Sequence, residues 1–177
     1  MRIVGGKYRG RTLLSFSGDN IRPTADKVRE SLFNILQFEI YGCDFLDLFS
    51  GTGAMGIEAL SRGANKVVFN DLSKESIALL KKNLIKVKGE ENPQIKNLNA
   101  VTLLKSTTEK FDIIYIDPPY KSSLGEECLK VVHLALKDNG KVVFEDEKPF
   151  DGEIEGLKIT DRRKYGRVHL TFFEKEN

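Results

Sequence analysis

A chain of 177 residues, 40% of them hydrophobic and 31% charged, suits one soluble domain with a real core and excludes a disordered chain. No apolar run approaches the ~20 residues of a membrane span, and Met1-Arg2-Ile3-Val4-Gly5-Gly6 lacks the long apolar stretch of a signal peptide. Cys43 and Cys128 offer neither metal-ligand spacing nor a disulfide framework, so a cytoplasmic setting is expected and no metal site is read. The net charge is only +2, but it is unevenly spread. Arg2, Lys7, Arg9 and Arg11 share the first 11 residues with no acid, and Arg162-Arg163-Lys164 with Arg167 form a second basic cluster. Such patches on a nearly neutral chain suggest a local polyanion contact, although an ordinary solvated surface would look the same.

In chain order, residues 2–15 read as a short hairpin punctuated by Gly5-Gly6 and Gly10. Arg22-Pro23-Thr24 stops it, and Thr24 is placed to cap a helix to about residue 37, with Val28, Leu32, Ile35 and Leu36 on one face. Residues 1–40 thus form a small hairpin-and-helix extension, and residues 43–177 a core of alternating strands and helices. Residues 45–49 read as a strand, 55–62 as a helix stopped by Gly63, and 67–70 as a second strand. Ser73 caps a helix carrying Ile77, Leu80 and Leu84, and residues 94–98 form a weaker strand. The strongly apolar stretch 111–116 has buried-strand length and is followed by a helix over 124–136 and a strand over 141–145. Segments 157–164 and 167–174, joined at Tyr165-Gly166 with no helix between them, close the chain as a hairpin. Repeated βα units imply a mostly parallel sheet with helices on both faces, and the final hairpin must add an antiparallel strand. The expected class is α/β, in the outline of a single Rossmann-like domain.

Between the first strand and its helix, Asp47-Leu48-Phe49-Ser50-Gly51-Thr52-Gly53-Ala54-Met55-Gly56 holds Gly-x-Gly-x-x-Gly. Glycines let the backbone turn sharply and approach a ligand closely. Asp71, 20 residues after Gly51, ends the next strand, where a carboxylate can accept both hydroxyls of a ribose. The turn alone suits a nicotinamide dinucleotide or S-adenosylmethionine. Asp47 favours the second, because a carboxylate repels phosphates and attracts an ammonium. Asp47, Ser50, Gly51, Thr52, Gly53, Asp71 and Leu72 are the residues expected around that cofactor.

Asp117-Pro118-Pro119-Tyr120 directly follows the most apolar strand. Two prolines stiffen the loop and leave carbonyls as acceptors without N–H donors. The exocyclic amine of a nucleobase is a poor nucleophile because its lone pair is delocalised into the ring. The Asp117 carboxylate and Pro118 carbonyl can hold its two protons and favour a localised lone pair, while Tyr120 can stack on the base for roughly 1–3 kcal/mol. In-line placement supplies roughly 7–11 kcal/mol of such a barrier. No strong general base is needed, and the two histidines, His133 and His169, stand by no motif.

The segments Arg2-Ile3-Val4-Gly5-Gly6-Lys7-Tyr8-Arg9-Gly10 and Arg22-Pro23-Thr24-Ala25-Asp26-Lys27-Val28-Arg29-Glu30-Ser31-Leu32-Phe33-Asn34-Ile35-Leu36 resemble the N-terminal signature of the RsmD family. Gly56-Ile57-Glu58-Ala59-Leu60-Ser61-Arg62-Gly63-Ala64 continues the likeness, which spans nearly the whole chain. The resemblance implies a class I, seven-stranded S-adenosylmethionine methyltransferase fold. It also implies methylation of N2 of a guanine in 16S ribosomal RNA, presented on the assembled or nearly assembled small subunit, by an enzyme expected to be a monomer. By the likeness, Arg22, Pro23, Thr24 and Arg29 would line the cofactor or RNA side of the site, and the hairpin bearing Arg2, Lys7, Arg9 and Arg11 would contact RNA. Asp-Pro-Pro-Tyr suits an adenine-N6 methyltransferase equally well, although DNA enzymes of that kind carry a recognition insertion for which this chain has no room. A non-catalytic nucleic-acid-binding module and a nicotinamide oxidoreductase are the readings from other classes. Intact Asp47, Gly51, Gly53, Asp71 and Asp117 argue against the first, and the lack of a second catalytic segment against the other.

Overall fold

Strand pairing between distant parts of the chain sets the architecture. The structure, a computed structural model, describes residues 1–16, 23–87, 89, 93–119 and 122–176, and the side chains of 23–25 lie outside the description. The strands are β1 (Asp44–Asp47), β2 (Lys66–Asn70), β3 (Gln94–Lys96), β4 (Phe111–Ile116), β5 (Leu136–Asp146), β6 (Leu157–Tyr165) and β7 (Val168–Lys175). The helices are α1 (Pro23–Ile35), α2 (Ala54–Ser61), α3 (Lys74–Val87), α4 (Ala100–Ser106) and α5 (Leu124–Leu129), with a 3₁₀ turn at Val132–Leu134.

Among the described residues the strands form one sheet in the order β3-β2-β1-β4-β5-β7-β6. Neighbours from β3 to β5 run parallel, whereas β7 runs antiparallel between β5 and β6. Both faces are covered, so the central strands are apolar on alternate residues in both directions. Phe45, Val67, Phe69, Ile113, Val143 and Phe172 meet α1, α2, α3 and the N-terminal segment in one core. Leu46, Val68, Ile114, Ile116, Val142 and Phe173 meet α4 and α5 in the other. The expected α/β class holds, with the closing hairpin supplying the antiparallel strand. The carboxyl ends of β1, β2 and β4 meet along one edge, where ligands of open α/β sheets bind.

Several local expectations change. Helix α1 starts at Pro23, so Thr24, read as its cap, stands inside the helix. Proline is favoured in the first turn, where its missing N–H costs nothing. The helix read over 124–136 stops at Leu129, because Leu136 pairs with Phe111 and opens β5 five residues before the expected strand. Helix α4, which periodicity over so short a segment did not reveal, is capped by the Asn99 side chain accepting from the Thr102 N–H. Residues 1–16 form a loop closed by one bridge, Arg2 to Thr12, with the Ile3 N–H donating to the Arg11 carbonyl at 3.0 Å.

Candidate active site

The chain leaves β1 at Asp47 and turns through Ser50–Gly53 into α2, and the three glycines of that turn act differently. Gly51 (φ 50°) and Gly53 (φ 83°) take left-handed conformations that disfavour side chains. A Cβ on Gly51 would meet nothing within 4 Å, whereas one on Gly53 would stand 2.3 Å from Leu80 Cδ1 and one on Gly56 2.2 Å from the Phe69 ring. Gly51 therefore leaves open space at the turn, while Gly53 and Gly56 bring α2 close to α3 and β2.

The acids brace this turn. Asp47 Oδ2 accepts from the Gly56 N–H at 2.9 Å, whereas its buried Oδ1 and the Ser50 hydroxyl have no partner among the described residues. Burial pushes the Asp47 carboxyl up to about 7; the Gly56 N–H opposes the shift and the Asp71 charge adds to it. Buried polar atoms normally have partners, so these two orphaned oxygens beside an open glycine suit a ligand bearing donors. Asp71, after β2, accepts from the Gly51 N–H and the Ser73 N–H, each at 2.8 Å, and so ties the turn to the start of α3. Each of its oxygens keeps a further lone pair.

Asp71 and Leu72 line a cleft of about 550 Å³ whose opposite side is Asp117, Pro118 and Pro119; Phe49 and Leu98 add apolar wall. Sequence positions 46 residues apart meet here because β1 lies between β2 and β4. The loop is clamped from below: a Cβ on Gly125 would stand 2.8 Å from Pro118 Cγ and 2.8 Å from the Phe144 ring, so α5 packs directly on it. Ser122 Oγ donates to the Pro119 carbonyl at 2.8 Å, so among the described residues of the loop the Asp117 carboxylate and the Pro118 carbonyl remain as acceptors. Burial first, then the nearby charges of Glu145, Asp47 and Asp146, hold the Asp117 carboxyl well above the usual carboxylate range. Glu145, at the end of β5, is also raised by burial, against the hydrogen bond it accepts from the buried Tyr115 hydroxyl. Tyr120 and Arg22, like the Thr24 side chain, lie outside the described residues.

The other predicted residues separate. Arg2, Lys7, Arg9 and Arg11 are exposed on the N-terminal loop, and none of them lines the cleft. Thr52 joins that loop to the turn, its hydroxyl 4.0 Å from Met1 Sδ. Arg29, expected at the cofactor or RNA, is 3% exposed; it donates to the Arg2 carbonyl at 2.7 Å and to Asp26 at 2.6 Å, with Glu58 3.7 Å away. That expectation is corrected: its guanidinium is engaged inside the fold, because α1 turns this face toward α2 and the loop.

Glu58, Ser61 and Asn83 were not singled out in the sequence. Glu58 accepts from the Val4 N–H (2.9 Å), the Gly5 N–H (2.7 Å) and Arg62 Nε (2.8 Å). Ser61 accepts from the Tyr8 N–H through Oγ and from the Lys7 N–H through its carbonyl. Asn83 bridges the Leu14 backbone and the Thr52 carbonyl. The signal was an acid or amide standing on the apolar face of a helix, as Glu58 does behind Ile57 and Asn83 between Leu80 and Val87. The Gly5-Gly6 pair and the stretch from Glu58 to Arg62 are thus two halves of one joint, and a Cβ on Gly6 would stand 1.9 Å from the Ser61 carbonyl oxygen.

A sheet ordered β3-β2-β1-β4-β5-β7-β6 with β7 reversed, a glycine turn after β1 and an acid after β2 define a class I, Rossmann-like methyltransferase. The family model described as "Conserved hypothetical protein 95" matches residues 1–174, and the chain belongs to this family, the RsmD family. It is 38% identical to Ribosomal RNA small subunit methyltransferase D of Haemophilus influenzae, over 84% of this chain and 79% of that protein. The protein of the same name from Escherichia coli K12 is 37% identical, over 88% and 76%. The solved structure of Escherichia coli yhhF superposes with a TM-score of 0.88 at 32% identity, covering 99% of this chain and 98% of that one.

Proposed function

We propose that this protein transfers a methyl group from S-adenosylmethionine to the exocyclic N2 amine of a guanine in 16S ribosomal RNA. The substrate is the assembled or nearly assembled small subunit, and the enzyme acts as a cytoplasmic monomer. The observation that carries the reading is the meeting, in one cleft, of Asp71 with the Asp117-Pro118 acceptors, in a family whose named relatives act on small-subunit ribosomal RNA.

The residues present fit S-adenosylmethionine. Asp71 retains lone pairs for two ribose hydroxyls, Phe49 and Leu72 offer apolar contact to a base, and the unpartnered Asp47 Oδ1 and Ser50 Oγ suit an amino acid ammonium. When bound, that cofactor supplies an electrophilic methyl group. Asp117 and the Pro118 carbonyl hold the two protons of the target amine, orient its lone pair and stabilise the positive charge that nitrogen gains. Methylation makes the amine acidic. In its ionised form Asp117 accepts the proton released, and burial with the nearby Glu145 charge favours that protonated product. Arg2, Lys7, Arg9 and Arg11 hold RNA phosphates beside the cleft, and Tyr120 stacks on the base.

The test is to incubate the protein and methyl-labelled S-adenosylmethionine with small subunits lacking the modification and to map the labelled nucleotide. Label on guanine N2 is expected. Label on an adenine N6, or on DNA offered in competition, overturns the choice of base or of nucleic acid. Absence of label with measurable cofactor binding favours a binding module.

A further inference from the structure

We infer that the tip of the β6–β7 hairpin is a second RNA-phosphate contact, placed on the opposite flank of the catalytic loop from the N-terminal basic loop; this rests on the ribosomal RNA reading above. The hairpin carries Arg162, Arg163, Lys164 and Arg167, all exposed. Strand register puts its tip on the catalytic edge of the sheet. Ile116 pairs with Phe144, so Asp117 stands across from Glu145 at the next step. Glu145 pairs with Leu170, and Leu170 with Arg163. Asp117 and Arg163 therefore occupy one cross-strand row, three strand spacings or about 14 Å apart. One residue further on, Asp146, His169 and Lys164 form the next row, nearer the turn. The sheet order places β1, with the glycine turn and the N-terminus against Thr52, on the other side of β4. Along the sheet, the target loop thus stands between the hairpin and the strand beside which the N-terminus lies.

The four cations are not equally available. Arg163 pairs with Asp161 at 2.8 Å, and Arg162 lies 3.3 Å from the Phe150 carbonyl. Lys164 and Arg167 have no ion pair or hydrogen bond from their side chains among the described residues, and they are the two nearest the turn. The plain alternative is edge protection, since charged side chains on an outer strand discourage pairing with another chain. Edge protection gives no reason for position along the strand. Here residues 162–167 hold four cations and no acid, whereas residues 157–161, toward the opposite edge of the sheet, hold one cation and one acid. The charge is concentrated where a polyanion reaching Asp117 would pass.

The experiment measures methyl transfer to small subunits lacking the modification, for the parent enzyme and for Lys164→Ala with Arg167→Ala. Unfolding temperature and S-adenosylmethionine affinity by calorimetry are followed in parallel and should not move. The double variant should raise KM for the particles about tenfold with kcat kept. The slope of log KM against log salt should become shallower by about two, one unit for each phosphate no longer neutralised. Lys164→Arg with Arg167→Lys should keep parental affinity. A parent enzyme that labels the particles, matched by the alanine variant in KM and salt slope, overturns the hairpin proposal alone. So does a variant that loses kcat at unchanged KM. A parent enzyme that binds cofactor yet leaves the particles unlabelled overturns the ribosomal reading and this proposal with it.

Discussion

Replacing Glu58 by alanine tests how the N-terminal loop is held against α2. Glu58 is fully buried and accepts from two backbone N–H groups, those of Val4 and Gly5, and from Arg62, with Arg29 also close. Arg62 can turn to water, and Arg29 keeps Asp26 and the Arg2 carbonyl. The two part-buried N–H groups gain full access to water only if the loop lifts, and lifting exposes Ile3, Tyr8 and Leu13, which belong to the core. Leaving two part-buried donors unpaired costs up to about 1–3 kcal/mol each, and removing one partner of a buried charge cluster costs about 3–5 kcal/mol. These overlap, so Glu58→Ala should lose about 4 kcal/mol, a large share of a typical stability of about 5–15 kcal/mol. For a chain of this size that corresponds to a fall in Tm of about 8–16 °C. Glu58→Gln keeps the volume but turns an amide donor toward other donors, so it should recover only part of the loss. Urea unfolding at constant m reads the change directly. A Glu58→Ala protein within about 1 kcal/mol of the parent would show that solvent satisfies these groups as well as Glu58 does, and Glu58 would not be the joint between loop and α2.

Asp117→Ala should lower single-turnover methyl transfer by about a hundredfold or more, and Asp117→Asn, which keeps an acceptor oxygen, should retain more; parental rates for alanine would reduce the loop to scaffolding. Asp71→Ala should weaken S-adenosylmethionine binding by about 1.5–3 kcal/mol by calorimetry, and should also lower Tm because the Gly51 and Ser73 N–H groups lose their acceptor; unchanged affinity in a folded variant removes Asp71 from the cofactor. Asp47 has a folded value of about 7 against 3.8 for a free carboxyl, so its protonated form favours the folded state and that contribution is lost as pH rises through this window. Asp47→Asn should therefore gain stability relative to the cofactor-free parent between pH ~5 and ~8, read as Tm at both, and an identical pH dependence in the two proteins would contradict the burial argument.

Local patterns carried much of this protein. Period-two apolar strands, amphipathic helices and turn glycines repeat within a few residues, so the alternation from β1 to β5, apart from α4, and the closing hairpin were legible before any pairing was known. Asp71 and Asp117 were legible for the same reason, each closing an apolar strand where an α/β sheet presents its ligands. The tertiary structure decided which distant residues meet. Glu58 meets Val4 across 54 positions, and Tyr115 meets Glu145 across 30, and neither partner is named by the local pattern of the other. Arg29 stood in a signature-like segment, and only the packing of α1 on α2 turns it inward. The helix expected over 124–136 lost its last turns because Leu136 gains more by joining β4 as a buried strand residue than by ending an amphipathic helix. Local propensity differs by tenths of a kcal/mol per residue, whereas burying a leucine side chain contributes about 1.5–3 kcal/mol, so where the two disagree the packing decides.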